Sequence, residues 1–157
     1  MTGKEMSVYN QLTKLNLLSW PTLFVGFEKE LILKRDLEDY AVSLLKKSDN
    51  VEPNITLLAD ASHYNKDEIQ DIIKSQLKSE NIIKESEISK LKLAALLSLE
   101  ESALSDEGKC NKLQELYSDF DYPNDMSGCS IYSTDSTISP LECMHNLIIT
   151  LKKKFRR

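Results

Sequence analysis

Glycine and proline are scarce in this sequence, with four residues of each among 157. That scarcity excludes collagen-like and low-complexity architectures, which depend on those residues. Hydrophobic residues make up 41% of the chain and charged residues 29%. A chain of this size can bury roughly 70% of the surface that its unfolded form exposes, so it needs no disulfide or metal ion to fold. The composition therefore predicts one globular domain.

Long apolar runs are missing as well. The longest stretches, such as residues 93–97 and 147–149, fall far short of the roughly 20 apolar residues of a membrane span. The N-terminal residues show no basic segment followed by an unbroken apolar run, so no secretory signal is visible. We therefore expect a cytoplasmic protein that has no membrane partner.

Cysteine is limited to three widely spaced residues, Cys110, Cys129 and Cys143. Neither a CxxC pair nor a cysteine–histidine cluster is present, so we predict no zinc site. His145 follows Cys143 by two positions, which on a helix points the two side chains to different sides and favours a structural histidine over a catalytic pair. Phosphate-loop, GxSxG, HExxH and dinucleotide motifs are also absent. We expect no cofactor and no enzymatic activity.

Apolar residues recur at steps of three and four along most of the chain, which is the pattern of amphipathic helices. The stripe within residues 86–104 is unusually wide, so that helix is predicted to be central and contacted on more than one side. Sustained alternation with a period of two is absent, as are internal repeats. The pattern predicts an all-α fold, a single compact domain over residues 1–157 with six to eight short helices.

Capping residues mark several helix starts. Ser19 stands before a tryptophan and a proline, Asn65 has Glu68 three positions later, and Ser139 is followed by a proline. Asp36 is the expected N-cap of another helix. On the last helix, the residues expected to pack inward are Leu141, Met144, His145, Ile148, Ile149 and Leu151.

Residues 121–137 interrupt the helical pattern. They are rich in Pro, Gly, Ser, Asp and Thr, which predicts a long ordered or mobile loop. Carboxylates cluster around its start, but no glycine sits at the turn and no glutamate closes it, so we predict no calcium site. Turn chemistry and recognition of a basic partner both remain open. The hypothetical partner-binding residues are Asp119, Asp121, Tyr122, Asp125 and Tyr132.

Charge argues against nucleic acid as a partner. The formal net charge is −5, whereas proteins that wrap nucleic acid are basic. The basic C-terminal tail, residues 152–157, follows a helix whose C-terminal end favours cations in any case. Such an isolated cluster would bind phosphate only weakly and with strong salt dependence. We therefore expect a protein partner.

Three segments of the sequence stand out, residues 16–45, 112–132 and 140–148. The most specific part is LYSDFDYP with the following Asp125 and Met126, and the second is the block from SWPTL to Asp36. With these segments the chain resembles a family of small all-helical bacterial proteins of unknown function, whose members are often encoded near polymorphic toxin genes. The similarity runs over residues 17–151.

The resemblance implies an immunity protein, a non-enzymatic domain that binds and neutralises a cognate secreted toxin. It supplies no catalytic residues. A basic toxin domain would suit this acidic chain, because opposite charges speed association. The alternatives are a regulatory or adaptor module for another protein, and a hydrolase or metal enzyme that uses the acidic loop. The sequence leaves the oligomeric state open.

Overall fold

Helix dominates the part of the chain that a computed structural model describes, residues 7–47, 52–77, 84–129 and 139–155. These ranges contain no strand, so the all-α prediction is confirmed. Eight α-helices lie within them, the upper end of the predicted number. They are α1 (Val8–Leu15), α2 (Trp20–Glu28), α3 (Lys34–Lys47), α4 (Pro53–Leu58), α5 (Lys66–Leu77), α6 (Lys84–Glu101), α7 (Asp106–Asp119) and α8 (Pro140–Phe155). Two 3₁₀ helices accompany them, η1 (Ala61–His63) and η2 (Asn124–Cys129).

The predicted caps start three of these helices. The Ser19 hydroxyl accepts from the Thr22 backbone N–H at 3.3 Å at the start of α2. Before α5, the Asn65 side chain accepts from the Glu68 backbone N–H at 2.8 Å, and the Glu68 side chain accepts from the Asn65 backbone N–H at 2.9 Å. Ser139 does the same for α8, accepting from the backbone of its third residue at 3.1 Å. Each bond satisfies an N–H that the helix itself leaves without a partner.

Asp36 caps α3 from a different position than the sequence predicts. The helix begins at Lys34, so Asp36 occupies its third position, and its carboxylate accepts from the backbone N–H of Leu33 at 2.9 Å. An acidic side chain at the third position can reach back to the residue before the helix, as in a capping box. Burial raises the pKa of Asp36, an effect that the Leu33 hydrogen bond opposes.

Contacts group the helices into two units. One contains α1, all but the first turn of α6, and α7, η2 and α8. The other contains α2 to α5, η1 and the first turn of α6. The single domain over residues 1–157 stays a prediction.

In the unit formed by residues 17–87, α2 is buried along most of its length. Trp20 packs edge-to-face on Tyr40 of α3, with ring centroids 4.8 Å apart. Helix α3 packs on α4 and η1, and α5 packs on α2 and α4. The Thr22 hydroxyl donates to the buried Glu87 carboxylate at 2.5 Å. Fully buried apolar side chains fill the core of this unit: Leu23, Ile32, Leu37, Leu58, Ile69 and Ile73.

Helix α6 carries a continuous buried segment. All residues from 91 to 99, LKLAALLSL, are buried, which is the pattern of a helix surrounded on every side. The predicted contact of this helix on more than one side is thereby confirmed. Ser98 anchors α1, since its hydroxyl both accepts from and donates to the backbone of Ser7 at 3.1 Å. Gln11 of α1 donates to the Glu101 carboxylate at 2.9 Å.

Helix α8 packs on η2 and α7 through Met144, Leu147, Ile148 and Leu151. Two residues that the sequence analysis placed inward, His145 and Ile149, are exposed. The buried stripe follows steps of three and four from Met144, and one further residue turns the side chain about 100° away from it. That prediction was wrong for these two residues because each directly follows a buried residue, Met144 or Ile148, and so lies beside the buried stripe.

The predicted loop and tail are only partly described. Residues 124–129 of the loop form η2, where Met126 and Cys129 are buried, and residues 130–137 lie outside the described residues. In the basic tail, Lys152, Lys153 and Lys154 belong to α8 and are exposed, and residues 156 and 157 lie outside the description. No helix within the described ranges is long and apolar enough to cross a membrane.

Candidate functional site

The acidic segment singled out in the sequence forms a sharp turn after α7. The backbone N–H of Tyr122 donates to the carbonyl of Tyr117 at 2.8 Å, and that of Asp121 donates to the carbonyl of Ser118 at 2.9 Å. This pair of bonds is a Schellman motif, which satisfies carbonyls that the helix end leaves without partners. We call residues 119–123 the elbow.

Two successive residues of the elbow adopt left-handed backbone conformations. The φ angle is 63° at Asp121 and 55° at Tyr122. Glycine is the usual residue at the first of these positions, because a Cβ atom there costs roughly 1–2 kcal/mol for most residues. Aspartate tolerates the conformation better than most, whereas a bulky aromatic residue rarely adopts it. The elbow therefore stores strain at Tyr122.

Side-chain contacts offset that strain. The ring of Tyr122 packs edge-to-face on Tyr117, with centroids 5.1 Å apart and planes at 87°. Its hydroxyl donates to the Ser118 hydroxyl at 3.2 Å. The neighbouring Phe120 is buried and fixes the elbow to the core. Tyr122 nevertheless leaves 59% of its surface exposed, so its ring is oriented and accessible at once.

The carboxylates of the predicted site fall into two groups. Asp119 and Asp121 belong to the elbow and are exposed. Asp125 lies in η2, and both of its oxygens accept from the ammonium group of Lys92, at 2.7 and 2.8 Å. The Lys92 side chain is only 7% exposed, against 43% for Asp125. Asp125 thus neutralises a buried cation, which is a structural task.

Lys92 is the residue that sequence reasoning missed. It is the only charged residue in the run LKLAALLSL, and every residue of that run is buried in α6. A lysine in such a setting requires a carboxylate partner, because an unpaired buried charge is very costly. That signal was present in the sequence, although the identity of the partner was not.

The structure thus brings together three of the five predicted residues, Asp119, Asp121 and Tyr122, in one exposed turn, with Asp125 close by in sequence and already paired. Tyr132 lies outside the described residues. The formation of a turn explains the backbone conformation of the elbow. The side chains of Asp119, Asp121 and Tyr122 are exposed on this turn.

His145 of α8 lies beside Glu100 of α6. The Nδ1 atom of His145 is 2.8 Å from a Glu100 carboxylate oxygen. The ammonium group of Lys109 donates to the Glu100 backbone carbonyl at 2.9 Å. In the described portion of the chain, no group of three or more His, Cys, Asp or Glu side chains is placed to hold a metal ion. Burial and a hydrogen bond with Cys143 raise the pKa of the Cys129 thiol.

The left-handed backbone at Asp121 gives a direct stability test. Asp121→Gly and Asp121→Ala both remove the carboxylate, so their difference isolates the conformational cost of a Cβ atom at φ 63°. We expect the glycine variant to be more stable by about 1 kcal/mol. Urea unfolding of the two variants measures this difference. Equal midpoints would mean that Asp121 is not left-handed in solution.

The comparisons with known proteins identify the family. The comparison with curated proteins and the comparison with solved structures each gave no match. One family model matches residues 9–154, which include the elbow and nearly all of the eight α-helices. The chain therefore belongs to the family described as "uncharacterized protein conserved in bacteria (DUF2247)".

Proposed function

We propose that this protein is a non-enzymatic binding module, an immunity protein that binds and neutralises a cognate secreted toxin, with the elbow as its contact surface. One observation carries the proposal. Tyr122 is 59% exposed on a left-handed backbone, its ring packs on that of Tyr117, and two exposed carboxylates belong to the same turn. Strained residues that the surrounding structure maintains are concentrated at functional sites.

A pre-oriented tyrosine suits a protein contact. Tyrosine is among the residues that dominate binding energy at interfaces, because it offers a large apolar ring and a polar tip. Immobilising a side chain on binding costs about 0.5–1.5 kcal/mol. The Tyr117 ring and the Ser118 hydroxyl already restrict Tyr122, so most of that cost is met before the partner arrives.

The charge of the elbow indicates the sign of the partner. Asp119 and Asp121 are exposed on a chain of net charge −5, and Asp125 is neutralised by Lys92. Such a surface attracts a basic protein and speeds its association, with an effect that salt weakens. Because many toxins that act on nucleic acid are basic, a toxin domain of that kind fits the surface.

The step from binding module to immunity protein draws on the resemblance to bacterial proteins encoded near polymorphic toxin genes. That step is tested by co-expressing this chain with a candidate toxin domain encoded near its gene. Wild-type protein is expected to restore growth and to form a complex with that domain. A chain that neither protects nor binds would contradict the immunity role, and stable binding to a regulatory host protein would favour the adaptor alternative.

The contribution of charge has its own test. We expect the double variant Asp119→Asn/Asp121→Asn to associate about tenfold more slowly with the toxin domain at low salt, with a nearly unchanged dissociation rate. Asparagine keeps the tolerance of aspartate for left-handed backbone. The control variant Asp39→Asn/Asp71→Asn makes the same change in net charge at two exposed positions of the other unit. Equal slowing by both double variants would show that overall charge, and not the elbow, steers association.

A further inference from the structure

Two of the three cysteines meet where η2 packs against α8. Cys129 is the last residue of η2 and is fully buried. Cys143 lies in the first turns of α8 and is partly exposed. A Cβ atom on Gly128 would lie 3.3 Å from the Cys143 sulfur, so the glycine allows that sulfur close to the backbone just before Cys129.

The two thiols influence each other where η2 packs on α8. Burial first, and then the neighbouring Cys143 side chain, raise the pKa of the Cys129 thiol, which favours its protonated form. A disulfide between them requires the two sulfurs to approach to about 2.05 Å. The third cysteine, Cys110, lies on α7.

We propose that Cys129 and Cys143 form a reversible dithiol–disulfide couple, in which the partly exposed Cys143 reacts first with a low-molecular-weight disulfide. This modification site is independent of the proposed function, because it rests on residues outside the elbow. The bond would tie η2 to α8 and close a covalent loop over residues 130–142.

The exchange has two steps. The Cys143 thiolate attacks one sulfur of the small disulfide, forms a mixed disulfide and expels one thiolate. Cys129 then loses its proton and attacks the Cys143 sulfur, which forms the protein disulfide and expels the second thiolate. The small disulfide is reduced to two thiols, the two protein thiols are oxidised, and their two protons end on the released thiolates.

Burial slows the exchange in both directions. Burial, the neighbouring Cys143 and the negative charge of Asp125 raise the pKa of Cys129, so little of the thiolate that closes the bond is present at neutral pH. The same thiolate is a poor leaving group when an external thiol attacks Cys143. We therefore expect the mixed disulfide on Cys143 to close slowly and the protein disulfide to be slow to reduce once it has formed.

Redox buffers of reduced and oxidised glutathione test the couple on the full-length reduced protein. After acid quenching and alkylation, we expect the number of free thiols to fall from three to one, with Cys110 as the thiol that remains. Peptide mapping should find one intramolecular Cys129–Cys143 link. Three remaining thiols, or a link that involves Cys110 or a second chain, would overturn the proposal.

Single variants test the order of reaction. Cys129→Ala should stop at a mixed disulfide of glutathione on Cys143, whereas Cys143→Ser should leave Cys129 unmodified. Cys110→Ser is the matched control and should lose both remaining thiols as the wild type does. Glutathione captured by Cys129 in the Cys143→Ser variant would overturn the assigned order. If Cys129→Ala does not fold, the wild-type map and the other two variants still decide the outcome.

Discussion

Asp125→Asn is expected to lower the free energy of unfolding by about 2–4 kcal/mol, because it leaves the buried ammonium group of Lys92 without a counter-charge. Lys92 is 7% exposed, and both Asp125 oxygens lie within 2.8 Å of its nitrogen. Removing the other partner should cost far less. In Lys92→Met the apolar stem keeps its packing, and the 43% exposed Asp125 can be hydrated, so we expect a loss below about 1 kcal/mol.

Urea unfolding of the two single variants and the double variant measures this asymmetry. In the Lys92→Met background, Asp125→Asn should cost less than about 0.5 kcal/mol, because the charge that it would strand is already gone. Equal losses in the two single variants would contradict the account of a buried lysine neutralised by a surface-accessible carboxylate.

Ile148→Ala is expected to destabilise the protein by about 2–4 kcal/mol, whereas Ile149→Ala should change stability by less than about 1 kcal/mol. The two isoleucines are adjacent on α8, but Ile148 is 1% exposed and Ile149 is 41% exposed. Truncating the first leaves a cavity against η2 and α7, and truncating the second leaves none. The chemical change is identical, so each variant is the control for the other.

Thermal or urea unfolding of this pair also tests the register of α8. The sequence analysis placed both residues inward, which would make the two losses similar. A large loss for Ile149→Ala, or a small one for Ile148→Ala, would show that α8 is rotated relative to the structure described.

Interactions between residues that are close along the chain could be predicted from the sequence. The Ser19, Asn65 and Ser139 caps act within three residues, so a short motif contains both the donor and the acceptor. The wide apolar stripe of residues 91–99 likewise indicated a central helix, and α6 is buried there throughout.

Other features depend on partners that the local sequence does not name. The Lys92–Asp125 pair joins residues that are 33 positions apart, so only the fold brings them together. His145 and Ile149 flank the buried stripe of α8, and only the packing of α8 on η2 and α7 shows which side of the helix is buried. The proline and aspartate residues predicted a turn after α7. They did not predict that Tyr122 adopts a left-handed conformation or that its ring packs on Tyr117.

The central proposal is that the Tyr122 ring contacts a protein partner, and the affinity of Tyr122→Ala for the proposed toxin partner tests it most directly. Calorimetric titration compares this variant with the wild type and with Ile149→Ala, another truncation of an exposed apolar side chain in the same unit. We predict that Kd rises by about 30-fold or more for Tyr122→Ala and by less than about twofold for Ile149→Ala. A folded Tyr122→Ala protein that binds the toxin domain as tightly as the wild type would contradict the claim.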